Sequence, residues 1–178
     1  MTDRLFKGFL DLDNPRRCGI DVGRTMKNPL ELTVNLEVFQ IPGGNTASTT
    51  EIAKQVGVAE DALLDVTVFR CNGGFVSIIT STNRRLNLKA IMHELDNSWV
   101  TYPNDEEWGE LGAIDRNNPF GIASDPRVTT FIDALVLKQK EVAFRAMGSR
   151  VIKVAMNGLV IGTRAKFLGG ISLPKRFE

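Results

Sequence analysis

Histidine is the side chain most often recruited for proton transfer near neutral pH, and this chain has one, His93. Any histidine-based triad, dyad or metal site must include it. His93-Glu94 runs on into Leu95, Asp96 and Asn97, so the second histidine of a zinc-protease helix is missing. On a helix that buries Leu88, Ile91, Met92 and Leu95, His93 points outward, where nothing orients it for catalysis. The glycine pairs Gly43-Gly44, Gly73-Gly74 and Gly169-Gly170 lack both the Lys-Ser/Thr of a phosphate loop and the spacing of a dinucleotide fingerprint, and read as turns. Asp105, Glu106, Glu107 and Glu110 gather oxygen ligands without the alternation and central glycine of a calcium loop. Cys18 and Cys71 have no metal-ligand spacing; reduced thiols are the simplest reading, with a single disulfide as the alternative. No catalytic residue, cofactor or metal site is assigned, and the chain is read as a non-enzyme.

Binding chemistry is better represented. Between residues 91 and 126, Glu94, Asp96, Asp105, Glu106, Glu107, Glu110, Asp115 and Asp125 face a single cation, Arg116. Beyond residue 126 the balance reverses, and Arg145, Arg150, Lys153, Arg164, Lys166, Lys175 and Arg176 are candidates for one electropositive surface. Opposed blocks of this kind steer association and fix register, although charges that interleave in space would produce the same counts. Trp99, Tyr102 and Trp108 lie among the acids, where aromatic rings either tie a polar loop down or anchor a protein interface.

Elements that would position these groups follow from periodicity and punctuation. Leu32, Val34, Leu36 and Val38 alternate with Glu31, Thr33, Asn35 and Glu37, which predicts a half-buried strand. Ser48 and Glu51 form a capping box opening a helix to about Val56. Asn72-Gly73 between two β-branched runs predicts a hairpin, followed by a helix from about Leu86 to Asn97. Residues 98–126 read as a long acidic loop and Val128–Leu137 as a strand. Lys138–Met147 reads as a helix capped by Gly148, and a final hairpin is expected to turn at Asn157-Gly158.

The chain has 178 residues, 43% hydrophobic and 24% charged, with net charge +1, which suits one globular domain. The fold class expected is α+β: a single compact domain over 31–178 with an antiparallel sheet, two or more hairpins and several short helices, preceded by an extended arm over 1–30. Neither a signal-peptide core nor a stretch long enough to span a bilayer is read, so membrane contact would be peripheral.

Three stretches give this layout a familiar look: the strand Leu32–Phe39 leading to the helix near Glu51–Val56; the run Phe75–Ala90, with Val76, Ile78 and Ile79 before Ser81, Thr82, Asn83, Leu86, Asn87, Leu88 and Lys89; and Lys140–Met147 with the Asn157-Gly158 turn. In these it resembles the rhabdovirus matrix proteins, particularly those of plant cytorhabdoviruses. The lysine-rich N-terminus and late-budding motif of the animal-virus members are absent. The resemblance implies a structural protein that assembles into a lattice with copies of itself, condenses the viral nucleoprotein–RNA complex and links it to the envelope. Its expected partners are its own copies, that complex, an anionic membrane surface and the glycoprotein cytoplasmic tail, in the virion interior and host cytoplasm. Self-association would fall to Leu5, Phe6, Leu10, Arg16 and Arg17 of the arm and to Trp99, Tyr102, Glu106, Glu107 and Trp108. The competing readings are a capsid or tail-tube subunit and a small cytosolic enzyme using Asp/Glu chemistry within 94–115.

Overall fold

The computed structural model describes residues 21–27, 33–42, 46–112, 114–147 and 149–175, and of 21–27 and 33 the backbone alone. Expectations for Leu5, Phe6, Leu10, Arg16, Arg17, Cys18 and Arg176 lie outside the described residues. The chain runs β1 (Asp21–Lys27), β2 (Thr33–Gln40), α1 (Thr49–Val56), β3 (Leu63–Cys71), β4 (Gly74–Ser81), β5 (Arg84–Leu86), α2 (Leu88–Glu94), β6 (Val100–Thr101), α3 (Asp105–Glu110), α4 (Pro119–Ala123), β7 (Val128–Asp133), β8 (Glu141–Ala146), β9 (Arg150–Ala155), α5 (Met156–Thr163), β10 (Lys166–Leu168) and β11 (Ser172–Pro174). The α+β class stands.

One large sheet dominates, in the order β1-β2-β9-β8-β3-β4-β7-β10, with β6 added to β3 and a small β11–β5 ribbon beside it. The sheet is mixed: β3–β8, β4–β7 and β7–β10 pair parallel, the other pairs antiparallel. Parallel neighbours need long crossovers, and residues 82–127 supply the one from β4 to β7. That crossover carries β5, α2, β6, α3 and α4, and the part of it read in sequence as an acidic loop, 98–126, holds the last three. Helix α3 forms because Asn104 and Glu107 make a reciprocal capping box, and α4 because Asn118 accepts from the Phe120 and Gly121 amides with Pro119 at the first helical position.

Local signals succeed where local chemistry decides. Ser48 and Glu51 cap α1 reciprocally, and Asn72 and Gly73 turn the β3–β4 hairpin. Two C-terminal expectations are corrected. Residues 141–146 form strand β8 between β3 and β9, so no helix spans Lys138–Met147. Asn157-Gly158 is not a hairpin turn: both lie in α5, which packs on β2 and β9. Gly158 is needed for that approach, since a Cβ there would stand 3.0 Å from Val34 Cγ1 and 3.2 Å from Val154 Cγ2. Gly162, one turn on, leaves room for Phe120, whose Cε1 would meet an added Cβ at 2.5 Å.

Strand alternation divides the core between the two faces of the sheet. One face carries Leu36, Leu64, Ile79, Ile132, Phe144, Ile152 and Val154 under α4 and α5, and continues through Val68, Phe75 and Val128 under Leu111 and Ile122. The opposite face holds two separate clusters. At one end Leu63, Ala143 and Val151 pack on Ile52 and Val56 of α1; at the other Phe69, Ile78 and Phe131 pack on Ile91 of α2 and on Ile171.

Candidate active site

The gap between those two clusters is where the sheet itself comes apart. Strand β8 pairs with β3 only at Leu63↔Ala143 and Leu64↔Phe144, while β6 joins β3 only at Arg70 and Cys71. Between those points the edge of β3 meets no other strand among the described residues. Asp65, Thr67 and Phe69 alternate onto the split face, so Asp65 stands where the apolar cover of α1 has ended and that of α2 has not begun.

Polar groups fill the gap. Arg145, on the same face of β8, donates from Nη2 to the Ala47 carbonyl at 2.7 Å. Lys175 follows β11 and donates to the Thr82 carbonyl, beside the end of β4. Thr80, opposite Asp65 in the ladder, donates to Asp133 Oδ2 at 3.1 Å, and Asp133 is fully buried. The same carboxylate accepts from Ser172 Oγ and, at 3.1 Å, from the Leu135 amide. Arg84 completes the chain by donating to Ser172 Oγ at 2.6 Å and to the Ser172 carbonyl at 3.0 Å. A polar band thus crosses the middle of this face from β8 to β7 and on to the β5–β11 ribbon.

Of its two acids, Asp133 is held by three hydrogen bonds, whereas Asp65 has no hydrogen-bond partner among the described residues. Its residue surface is exposed at the mouth of the gap, yet protein mass around the carboxyl displaces water and raises its pKa, an effect that Lys175 and then Arg145 oppose. A carboxyl raised in pKa and facing two cations suits proton transfer beside a developing negative charge.

Neither Asp65 nor Asp133 was among the residues singled out by type and spacing. A signal existed: Asp65 shares its alternating row with Leu63, Phe69 and Cys71, all of which are buried. Of the basic residues expected to share one surface, Arg145 and Lys175 meet at the gap. Lys153 is turned inward, its side chain 13% exposed, between Glu141 at 3.2 Å and Glu37 at 3.9 Å. Arg150 opens β9, half-buried; Arg164 ends α5 in a left-handed conformation and Lys166 lies on edge strand β10, both exposed. Charges interleave elsewhere as well, in Arg70–Glu107, Arg127–Asp125 and Lys138–Asp61.

The aromatic and acidic candidates divide. Trp108 is half-buried under the Arg116 guanidinium, 4.3 Å from its ring centroid, and Glu107 is occupied by its cap and by Arg70. Glu106 is exposed on α3; Trp99 and Tyr102 flank β6, also exposed. His93 points to solvent beside Glu94 and borders a shallow depression of about 540 Å³ with Asn72, Met92, Asp96, Asn97 and Ser98. Cys71 is buried, which pushes its thiol pKa up against the opposing charge of Arg70. Among the described residues, no group of three or more His, Cys, Asp or Glu side chains could hold a metal ion, and no helix is long and apolar enough to cross a membrane.

Comparison with known proteins places this geometry. The family model described as the aminoacyl-tRNA editing domain matches residues 44–152, a span that includes α1, the β3–β4 hairpin, the crossover, β7, β8 and the start of β9. Among solved structures, a candidate trans-editing enzyme for prolyl tRNA synthetase superposes with a TM-score of 0.62 at 20% identity, covering 75% of this chain and 85% of its own. A hypothetical protein gives 0.60 at 22% identity over 80% and 93% of the two chains, and a scaffold from computational epitope grafting gives 0.61 at 17% over 75% and 85%. At these identities the superpositions speak for the fold. No curated protein matches.

The family match overturns the resemblance to rhabdovirus matrix proteins, which rested on layout, and with it the lattice, envelope, nucleoprotein and glycoprotein-tail partners and the placement in a virion. It also overturns the capsid and tail-tube alternatives and the reading of the chain as a non-enzyme. The third alternative, Asp/Glu chemistry within 94–115, is not supported either: Glu107 is taken up by its cap and by Arg70, and Asp115 accepts from the Asn117 and Met147 amides. With the matched span covering most of the sheet and both strands that frame the gap, the chain belongs to the aminoacyl-tRNA editing domain family.

Proposed function

We propose that this chain hydrolyses the ester that joins an amino acid to the 3′ end of a tRNA, with the gap between β3 and β8 as its active site. The observation that carries the reading is the family match over residues 44–152, which contain Asp65 and Arg145. Asp65, as carboxylate, accepts a proton from a water molecule whose oxygen attacks the ester carbonyl carbon. The carbonyl π electrons move onto oxygen, and Arg145 and Lys175 face that developing charge from two sides of the gap. When the tetrahedral species collapses, the bond to the ribose oxygen breaks and that oxygen takes up the proton. Free amino acid and intact tRNA leave. The same two cations attract the phosphates next to the ester, a contribution that weakens with salt.

The test is release of labelled amino acid from a full panel of aminoacyl-tRNAs at low and moderate salt. Wild type should deacylate at least one of them, and Asp65→Asn should lower kcat by roughly a hundredfold, within the usual range for loss of a general base. The wild-type profile should rise with pH through a value above the ordinary carboxyl, because Asp65 must be ionised to act. An inert wild type across the panel would end the hydrolytic reading. A fully active Asp65→Asn enzyme would move the chemistry to another residue. The prolyl context of one structural neighbour makes tRNAs charged by prolyl-tRNA synthetase the first to try.

A further inference from the structure

We infer that Tyr102 is the platform on which the terminal base of the acceptor strand stacks, a proposal that rests on the hydrolytic reading above. The argument begins with the row of alternate side chains on β3. Asp65, Thr67 and Phe69 lie on one face along the unpaired edge, and strand rise puts Asp65 and Phe69 about 13 Å apart. Tyr102 covers the far end of that row. Its ring rests against Phe69 with centroids 5.2 Å apart, tilted by 38°.

Tyr102 is nevertheless 68% exposed, the most exposed of the large hydrophobic residues among those described. An aromatic that serves only to fasten a segment buries most of its surface, as Trp108 does by packing with Leu111 and Ile122. Tyr102 is instead held from one side and offered from the other. Position decides what the open side is for. Strand β6 anchors the backbone just before Tyr102 through Thr101↔Arg70 and Val100↔Cys71, so the ring stands where the open edge of β3 ends.

An aminoacyl ester of adenosine has two ends to accommodate. Its reacting carbonyl must reach Asp65, and its base must then lie along the β3 edge, toward Tyr102. Bases stack on aromatic rings regardless of sequence, as suits a terminus common to all tRNAs. Cationic Arg145 and Lys175 lie at the Asp65 end, so the Tyr102 end takes the neutral base by stacking and not by charge.

The test compares wild type with Tyr102→Phe, Tyr102→Leu and Tyr102→Ala on two substrates, an aminoacyl-tRNA and the methyl ester of the same amino acid. Binding of an uncharged RNA ending in CCA is measured in parallel. Stacking predicts that Tyr102→Ala and Tyr102→Leu raise KM for the tRNA tenfold or more and weaken RNA binding by a similar factor. Hydrolysis of the methyl ester, which has no base, should be unchanged, and Tyr102→Phe should behave as wild type. Tyr102→Leu keeps cover over Phe69, so equal losses on both esters there would assign Tyr102 a structural role and overturn the platform. Unchanged KM and RNA binding in both truncations would overturn it while leaving the hydrolytic reading intact. RNA binding that depends on the ring, in a protein that releases no amino acid, would keep the platform and remove the hydrolysis.

Discussion

The two faces of the sheet are made from the same strands and differ in what covers them. On one face α4 and α5 lie on a continuous apolar surface that includes Leu64, Phe144, Ile132 and Val154. On the other, α1 and α2 cover only the ends, and the middle holds Asp65, Thr80, Arg145 and Asp133. On the proposed reading, the face that holds the fold together and the face that does the chemistry are opposite sides of one sheet.

The largest effect expected comes from breaking the apolar face. Phe144 is fully buried and lies against Phe120 at 5.9 Å between centroids, so Phe144→Ala should cost about 4 kcal/mol in chemical denaturation. A loss below about 1.5 kcal/mol would mean that this face is not what holds the sheet together. Next is the buried end of the polar band. Asp133→Ala leaves the Thr80 and Ser172 hydroxyls and the Leu135 amide without their acceptor, and should cost about 3 kcal/mol. If it were as damaging as Phe144→Ala, the faces would be equals in stability.

The smallest effect has the opposite sign. Asp65 has a folded pKa raised above the ordinary 3.8, so the fold favours its protonated form, and stability is lost as pH climbs past 3.8 and the carboxyl ionises. An amide carries no such cost. Asp65→Asn should therefore be more stable than wild type at pH 7, by less than about 1 kcal/mol because solvent at the mouth screens the charge. The difference should close below pH 3.8, where both side chains are neutral. Thermal melts across that range would show it; an Asp65→Asn protein less stable at pH 7 would mean that the carboxylate is stabilised by its cations more than it is penalised by burial. Together with the loss of turnover expected of the same variant, a gain in stability would mark Asp65 as a residue kept at the expense of the fold.

Where a few neighbouring residues settle the matter, their order was legible. The Ser48–Glu51 box, the Asn72-Gly73 turn and the alternation from Thr33 through Val38 each involve partners within a few positions, and each appears as read. The misreadings also have local causes. Asn157-Gly158 carries the composition of a hairpin turn, but its glycine serves the close approach of α5 to Val34 and Val154. Glu141–Ala146 mixes Val142, Ala143, Phe144 and Ala146, an apolar pattern that fits a buried strand as well as a helix. Its parallel pairing with β3, a segment eighty positions earlier, has no short-range signature.

By itself, then, the sequence determined the class of fold, the helices α1 and α2, the hairpin that centres the sheet and the shortage of histidine chemistry. Tertiary structure alone decided that β8 leaves β3 after Leu64, that β6 returns to it only at Arg70, and that Asp65, Arg145 and Lys175 face one another across the opening. The physical reason is the nature of the interactions. Caps and turns are bonds between near neighbours, whereas a gap in a sheet is a place where distant strands fail to pair, and it exists only once the rest of the sheet has formed.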